Sequence, residues 1–192
     1  MMALRVHGRG GQGAVIASKL LASAFFAEGW QVQAFPSFGA ERSGAPVMAF
    51  LRVDKARIDA HYQVYEPDHV IVLDPVLLET TNVTAGLRPG GWVIVNTRSA
   101  PAALKLPLTA NIATCDATAI ALANGLGSRT TPIVNTAMAG AFAGATRLVG
   151  VQSVIDAIPD LVPNEVLANQ RAATDASVST RVCVASAAAD RR

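Results

Sequence analysis

Cysteine is nearly missing from this sequence: Cys115 and Cys183 are the two in 192 residues, far apart and in no CxxC pairing. A four-thiolate zinc or iron–sulfur site cannot be assembled from this chain alone. The three histidines, His7, His61 and His69, have no metal-ligand spacing. Charge is also scarce, at 16% of residues with a net +2, and no basic run marks a nucleic-acid track or a membrane-surface patch. No stretch approaches the roughly 18 uninterrupted apolar residues of a membrane span. The longest contender, 132–149, is broken by Asn135, Gly140, Gly144 and Arg147. The first seven residues lead straight into glycines, without the apolar core of a signal peptide. A reduced, cytoplasmic protein is the expectation.

What the sequence does have is apolar mass. At 51% apolar residues the chain can bury much of its surface in one core, and disorder is excluded. Residues 4–7 predict a short strand. Residues 14–28 predict a helix of four turns, stopped by Gly29 and lined with small residues that let it lie close on a sheet. Residues 30–35 alternate apolar and polar side chains as a second strand. The loop 36–46 follows, then strands at 47–53, 70–75, 92–95 and 112–115. Helical patterns occupy 116–124, 133–148, 151–158 and 163–176. Strands alternating with helices imply an α/β fold: a Rossmann-like, three-layer α/β/α arrangement with a mostly parallel sheet and a helical C-terminal third. One domain spans 1–180, and 181–192 reads as a C-terminal tail, frayed or ordered only by a neighbour.

The chemistry concentrates at Gly8-Arg9-Gly10-Gly11-Gln12-Gly13. A strand, a glycine-rich turn and a helix gather backbone N–H groups at the positive end of a helix dipole, which attracts phosphate or carboxylate. The spacing matches the dinucleotide fingerprint, so a stand-alone dinucleotide-binding module is the alternative reading. It lacks the acid that should end the second strand: Ala34-Phe35-Pro36-Ser37 offers none before Glu41. The P-loop reading fails because no Lys-Ser/Thr pair follows the glycines.

Combined with Pro36-Ser-Phe-Gly-Ala-Glu-Arg-Ser-Gly-Ala-Pro-Val47, the glycine turn resembles the gamma subunit of the 2-oxoacid:acceptor oxidoreductases, the pyruvate:ferredoxin type among them. The resemblance continues at Glu66–Asp74, Asn135–Gly140 and Glu165–Asn169, and so covers about 4–172. It implies an enzyme that oxidatively decarboxylates a 2-oxo acid to its acyl-coenzyme A on thiamine diphosphate and iron–sulfur clusters. The alpha-, beta- and delta-type partner subunits would carry those cofactors, and electrons would leave to ferredoxin or an NAD-linked subunit. The gamma chain would help hold coenzyme A and close the active site. By resemblance the site comprises Gly8, Gly10, Gly11, Gln12 and Gly13, then Ser37, Gly39, Arg42, Ser43 and Gly44 from the next loop, with Asn135. Many family members carry two basic residues where this chain has Arg42-Ser43, which leaves one cation fewer. No catalytic residue or metal ligand is expected here, and the 2-oxo acid stays open. Among the rest, Glu41 reads as an ion-paired loop residue, Asp74 as a turn cap, His7 as a packed residue, and Cys115 and Met138 as core.

Overall fold

A computed structural model describes residues 1–37, 45–60 and 62–185. Of the expected site, Gly39, Arg42, Ser43 and Gly44 lie outside the described residues, as does Glu41. A seven-stranded sheet forms the centre, in the order β2-β3-β1-β4-β5-β6-β7. Its strands are β1 (Met2–Arg9), β2 (Gln31–Pro36), β3 (Pro46–Asp54), β4 (His69–Val72), β5 (Trp92–Asn96), β6 (Asn111–Cys115) and β7 (Arg181–Cys183). Five of them, β1, β2, β4, β5 and β6, point the same way, while β3 and β7 oppose them. The helices are α1 (Ala14–Ala27), α2 (Leu77–Thr80), α3 (Ala117–Ala123), α4 (Asn135–Thr146), α5 (Val151–Leu161) and α6 (Val166–Ser179).

Two departures from the sequence reading matter for the site. The 36–46 segment joins β2 to β3 as a hairpin, and β3 slots antiparallel between β2 and β1. The sequence predicts a loop between two strands here but not the antiparallel direction of β3, and the loop's described ends, Ser37 and Ala45, lie at the edge where β1 ends. At the other margin, residues 181–183, expected as part of a tail, form β7 on β6, with Ile112 facing Cys183 and Thr114 facing Arg181. Arg181 Nη2 fixes that strand through the Arg98 and Ser99 carbonyls at 2.6 and 2.9 Å. Three residues give a strand no alternation to read, which hid it.

One face of the sheet carries the long helices. Leu4, Val6, Leu51, Ile71, Leu73, Ile94 and Ala113 meet α1, α4, α5 and α6 in the main core. Leu20, Leu21 and Phe25 of α1 are fully buried, each contributing about 1.5–3 kcal/mol by removal from water. α4 is buried along Asn135–Ala143, consistent with a helix apolar nearly all round. It lies so close to α6 that a Cβ on Gly140 would stand 2.1 Å from the Ala173 carbonyl oxygen, and one on Gly144 would stand 2.3 Å from that of Ser177. The opposite face has a thinner layer: α2, a 3-10 turn at Pro101–Ala103 and connecting segments place Leu77, Val83, Leu87 and Leu104 on Val70, Val72, Val93 and Val95. Met138 and Cys115 are core residues, and burial pushes the Cys115 thiol up.

Candidate functional site

At the carboxyl end of β1 the chain turns through Gly11 at φ 96° and Gly13 at φ 81° before entering α1. Both angles lie in the left-handed region that favours glycine. Gly13 caps the helix without any side-chain acceptor, and no acidic residue stands in the first turn. The first turn of α1 is thus a positive pole that its own sequence leaves uncompensated.

Hydrogen bonding sorts the amides of this arch. Arg9 N–H donates to Gln12 Oε1 at 2.8 Å, Gly10 N–H to Ala45 O at 3.0 Å and Gln12 N–H to Arg9 O at 3.0 Å. Ala17 N–H, bonded to Gly13 O at 2.9 Å, is the first that the helix itself satisfies. Among the described residues the N–H groups of Gly11, Gly13, Ala14, Val15 and Ile16 have no acceptor. Two expected ligand contacts thereby acquire internal work. Gly10 N–H ties the arch to the end of the β2–β3 hairpin loop. The Gln12 carboxamide bridges Arg9 N–H and, through Nε2, Asp74 Oδ2 at 3.0 Å. Gly8 packs beneath, where a Cβ would lie 3.2 Å from Leu73 Cδ1 and 3.3 Å from Ala14 Cβ.

Asp74 caps its own turn by accepting from Val76 N–H at 3.0 Å. Its other oxygen lies 3.1 Å from Arg9 Nε, at an angle that leaves Arg9 Nε without a hydrogen bond. The pairing offsets the Asp74 carboxylate, which would otherwise oppose an anion at the arch. Sequence reading did not find this Arg9–Gln12–Asp74 brace, because its members meet only through the β1–β4 ladder.

Asn135, the first residue of α4, completes the site from across the core. It is 5% exposed, and its Nδ2 lies 2.7 Å from where a Cβ on Gly13 would be. Its Oδ1 accepts from Thr136 N–H at 2.7 Å, while Nδ2 has no acceptor among the described residues. Thr136 Oγ1 donates to Asn169 Oδ1 at 2.9 Å. Asn169 Nδ2 in turn donates to the carbonyls of Asn164 and Glu165, which turns the chain at Glu165 through φ 53°. Asn169, which the resemblance covers at Glu165–Asn169 without assigning it a role, thus supports the start of α4 from α6. Ser37 reaches the same edge, its N–H bonded to Met48 O at 2.8 Å.

His7 is packed one residue before the arch. Arg5 Nε donates to His7 Nε2 at 2.9 Å, and burial, then the Arg5 charge, lowers the imidazole pKa to about 4. It is a neutral acceptor that holds Arg5, whose Nη2 also donates to the Val83 and Ala85 carbonyls. No group of three His, Cys, Asp or Glu residues among the described residues could hold a metal ion, and no described helix is long and apolar enough to cross a membrane. The arrangement can bind an anion by main-chain donors, a helix pole and a buried amide.

Comparison with known proteins gives consistent results. The family model for pyruvate ferredoxin/flavodoxin oxidoreductase matches residues 3–178. The pyruvate/ketoisovalerate oxidoreductases common subunit gamma of Thermococcus litoralis is 50% identical over 186 residues, covering 95% of this chain and 98% of that protein. The crystal structure of the pyruvate oxidoreductase subunit PORC of Thermotoga maritima superposes with a TM-score of 0.78 at 34% identity, covering 94% of this chain and 97% of the other. The 2-oxoglutarate:ferredoxin oxidoreductase of Magnetococcus marinus, solved with 2-oxoglutarate, coenzyme A and succinyl-CoA bound, shares the fold at a TM-score of 0.70 and 19% identity, over 92% of this chain and 30% of that one.

Proposed function

Because the chain belongs to the pyruvate ferredoxin/flavodoxin oxidoreductase family, we propose that it is the gamma subunit of a 2-oxoacid:acceptor oxidoreductase and holds an anionic group of coenzyme A on the arch before α1. In such an enzyme the 2-oxo acid loses its carboxyl group as carbon dioxide, its acyl group joins the coenzyme sulfur, and two electrons pass to an acceptor, ferredoxin or an NAD-linked subunit. Thiamine diphosphate and iron–sulfur clusters supply the carbanion and electron chemistry from the alpha-, beta- and delta-type subunits. This chain binds and orients. The N–H groups of Gly11, Gly13, Ala14 and Val15 donate to the phosphate oxygens, and Asn135 Nδ2 adds a side-chain donor from behind. Arg42 and Ser43, which lie outside the described residues, would add a cation and a hydroxyl from the segment that leads to Ala45, whose carbonyl accepts from Gly10 N–H of the arch.

The observation that carries this reading is the set of amides at the start of α1, and the Asn135 Nδ2 against them, that have no acceptor among the described residues. Geometry disfavours the dinucleotide alternative. β3 separates β2 from β1, so the residue that should meet a ribose stands one further strand spacing, about 4.8 Å, from the turn. The name of the T. litoralis relative joins pyruvate with ketoisovalerate, which suits a chain that holds the shared coenzyme and leaves the 2-oxo acid to other subunits.

Steady-state kinetics of the assembled enzyme tests it. A Cβ at Gly11 meets nothing within 4 Å, and Asn tolerates a left-handed backbone better than most residues. Gly11→Asn should therefore leave the fold intact and raise the KM for coenzyme A at least tenfold, with a smaller change in kcat. An unchanged KM overturns the proposal.

A further inference from the structure

At the end of the sheet remote from the arch, a cavity of about 270 Å³ opens between the start of β1 and the segment before β4, lined by Arg52, Tyr62, Val64, Tyr65, Asp68 and Arg88 among others. Among the described residues its charges are paired, with one exception. Arg88 reaches Glu66 and Asp68 at 3.5 and 3.3 Å, Asp68 also accepts from Ala3 N–H at 2.7 Å, and the Met1 ammonium meets Asp54 at 2.9 Å. Arg52, 1% exposed, donates to Gln33 Oε1 at 2.9 Å and to the Tyr62 carbonyl. Its guanidinium lies 5.1 and 4.8 Å from the Phe35 and Tyr62 ring centroids. Both acceptors are neutral, and no carboxylate among the described residues stands within ion-pair reach.

A guanidinium cannot shed its proton, so burial without a counter-charge leaves an unbalanced cation that an incoming carboxylate would offset. Above it, Tyr62 and Tyr65 are 59% and 68% exposed. Arginine framed by tyrosines is the composition of interface hot spots. A free small acid would need the cation but not the aromatic rim. Among the described residues this part of the sheet is covered by Val64 and its segment, without a long helix. We propose that the cavity seats an aspartate or glutamate side chain of an adjoining subunit of the same complex, with Arg52 as its floor and the two tyrosines as its rim.

The inference rests on the subunit reading, and the test separates the two. The chain is co-expressed with the alpha-, beta- and delta-type subunits, and the affinity of assembly is measured. Failure of the wild-type chain to assemble overturns the subunit reading and the docking site with it. Given assembly, Arg52→Met should weaken association at least tenfold while the Tm of the lone chain holds or rises. Tyr65→Glu, on a side chain already in solvent, should weaken it comparably, and keeps the test open if the first variant unfolds. Amides of 62–66 should gain hydrogen-exchange protection on assembly. Unchanged association for both variants, or unchanged exchange at 62–66, overturns the docking site alone. So does millimolar binding of acetate or succinate by the lone chain with assembly unaffected, which makes it a small-molecule site.

Discussion

Asn135 serves two elements at once, since its oxygen satisfies the start of α4 and its nitrogen faces the start of α1. Asn135→Asp keeps the acceptor for Thr136 N–H and exchanges the donor for a negative charge. Two like charges about 5 Å apart at an effective dielectric of about 20 repel by roughly 3 kcal/mol. The variant should therefore raise the KM for coenzyme A about a hundredfold in the assembled enzyme, whereas Asn135→Ala, losing one hydrogen bond, should raise it several-fold. Equal effects of the two would remove the charge from the explanation. At this scale the sequence was readable where the chemistry is local. Glycines in a row announce a left-handed turn and free amides, and Asp74 before a proline announces a capped turn. It was silent where partners meet across the fold. Nothing in Gly8–Gly13 says that the Gln12 side chain faces inward to Arg9 and Asp74, or that the Gly10 amide is engaged by Ala45.

α4 transmits the packing of the helical layer to the site, because it begins at Asn135 and crosses α6 at Gly140 and Gly144. Gly144→Ala would drive a methyl group against the Ser177 carbonyl and force the two helices apart. Overpacking of this kind costs about 1–3 kcal/mol, which in a chain of this length lowers Tm by roughly 2–4 °C per kcal/mol. Thermal denaturation of the variant should show that loss, and a Tm equal to the parent's would mean the helices yield freely. The helices were legible as apolar runs of the right length: 133–148 and 151–158 in sequence became Asn135–Thr146 and Val151–Leu161. The orientation of β3 was not. Alternation marks a strand but carries no direction, and only pairing with both β1 and β2 decides it. β7 and the one-turn α2 were too short to show a period.

The whole molecule should be sensitive to mild acid through two buried imidazoles. His7 and His69 both have pKa values lowered to about 4, chiefly by burial, against about 6.5 when unfolded. Between those values the unfolded chain takes up protons that the folded chain refuses. Stability is therefore complete above about pH 6.5 and falls as the pH drops toward 4, by up to about 3 kcal/mol per histidine. His7→Gln preserves an acceptor for Arg5 and removes one titration. It should reduce the slope of Tm against pH between 4 and 6.5 by about half, while leaving the region below 4 to carboxylates such as Asp54, whose pKa is held down by the Met1 ammonium and the Ala56 amide.

The strand order has a consequence for synthesis of the chain. After the β2–β3 hairpin closes on β1, each later strand adds in turn to the same growing margin, β4 on β1, then β5, β6 and finally β7, so a nascent strand always meets an edge already made. The helices that shelter the inner side chains of β4–β6 come from the last third of the chain. A ribosome that has released residues up to β6 therefore presents a nearly finished sheet, its first strands sheltered by α1 and the inner face of β4–β6 still bare. Only the emergence of α4 to α6 converts that hazard into a core.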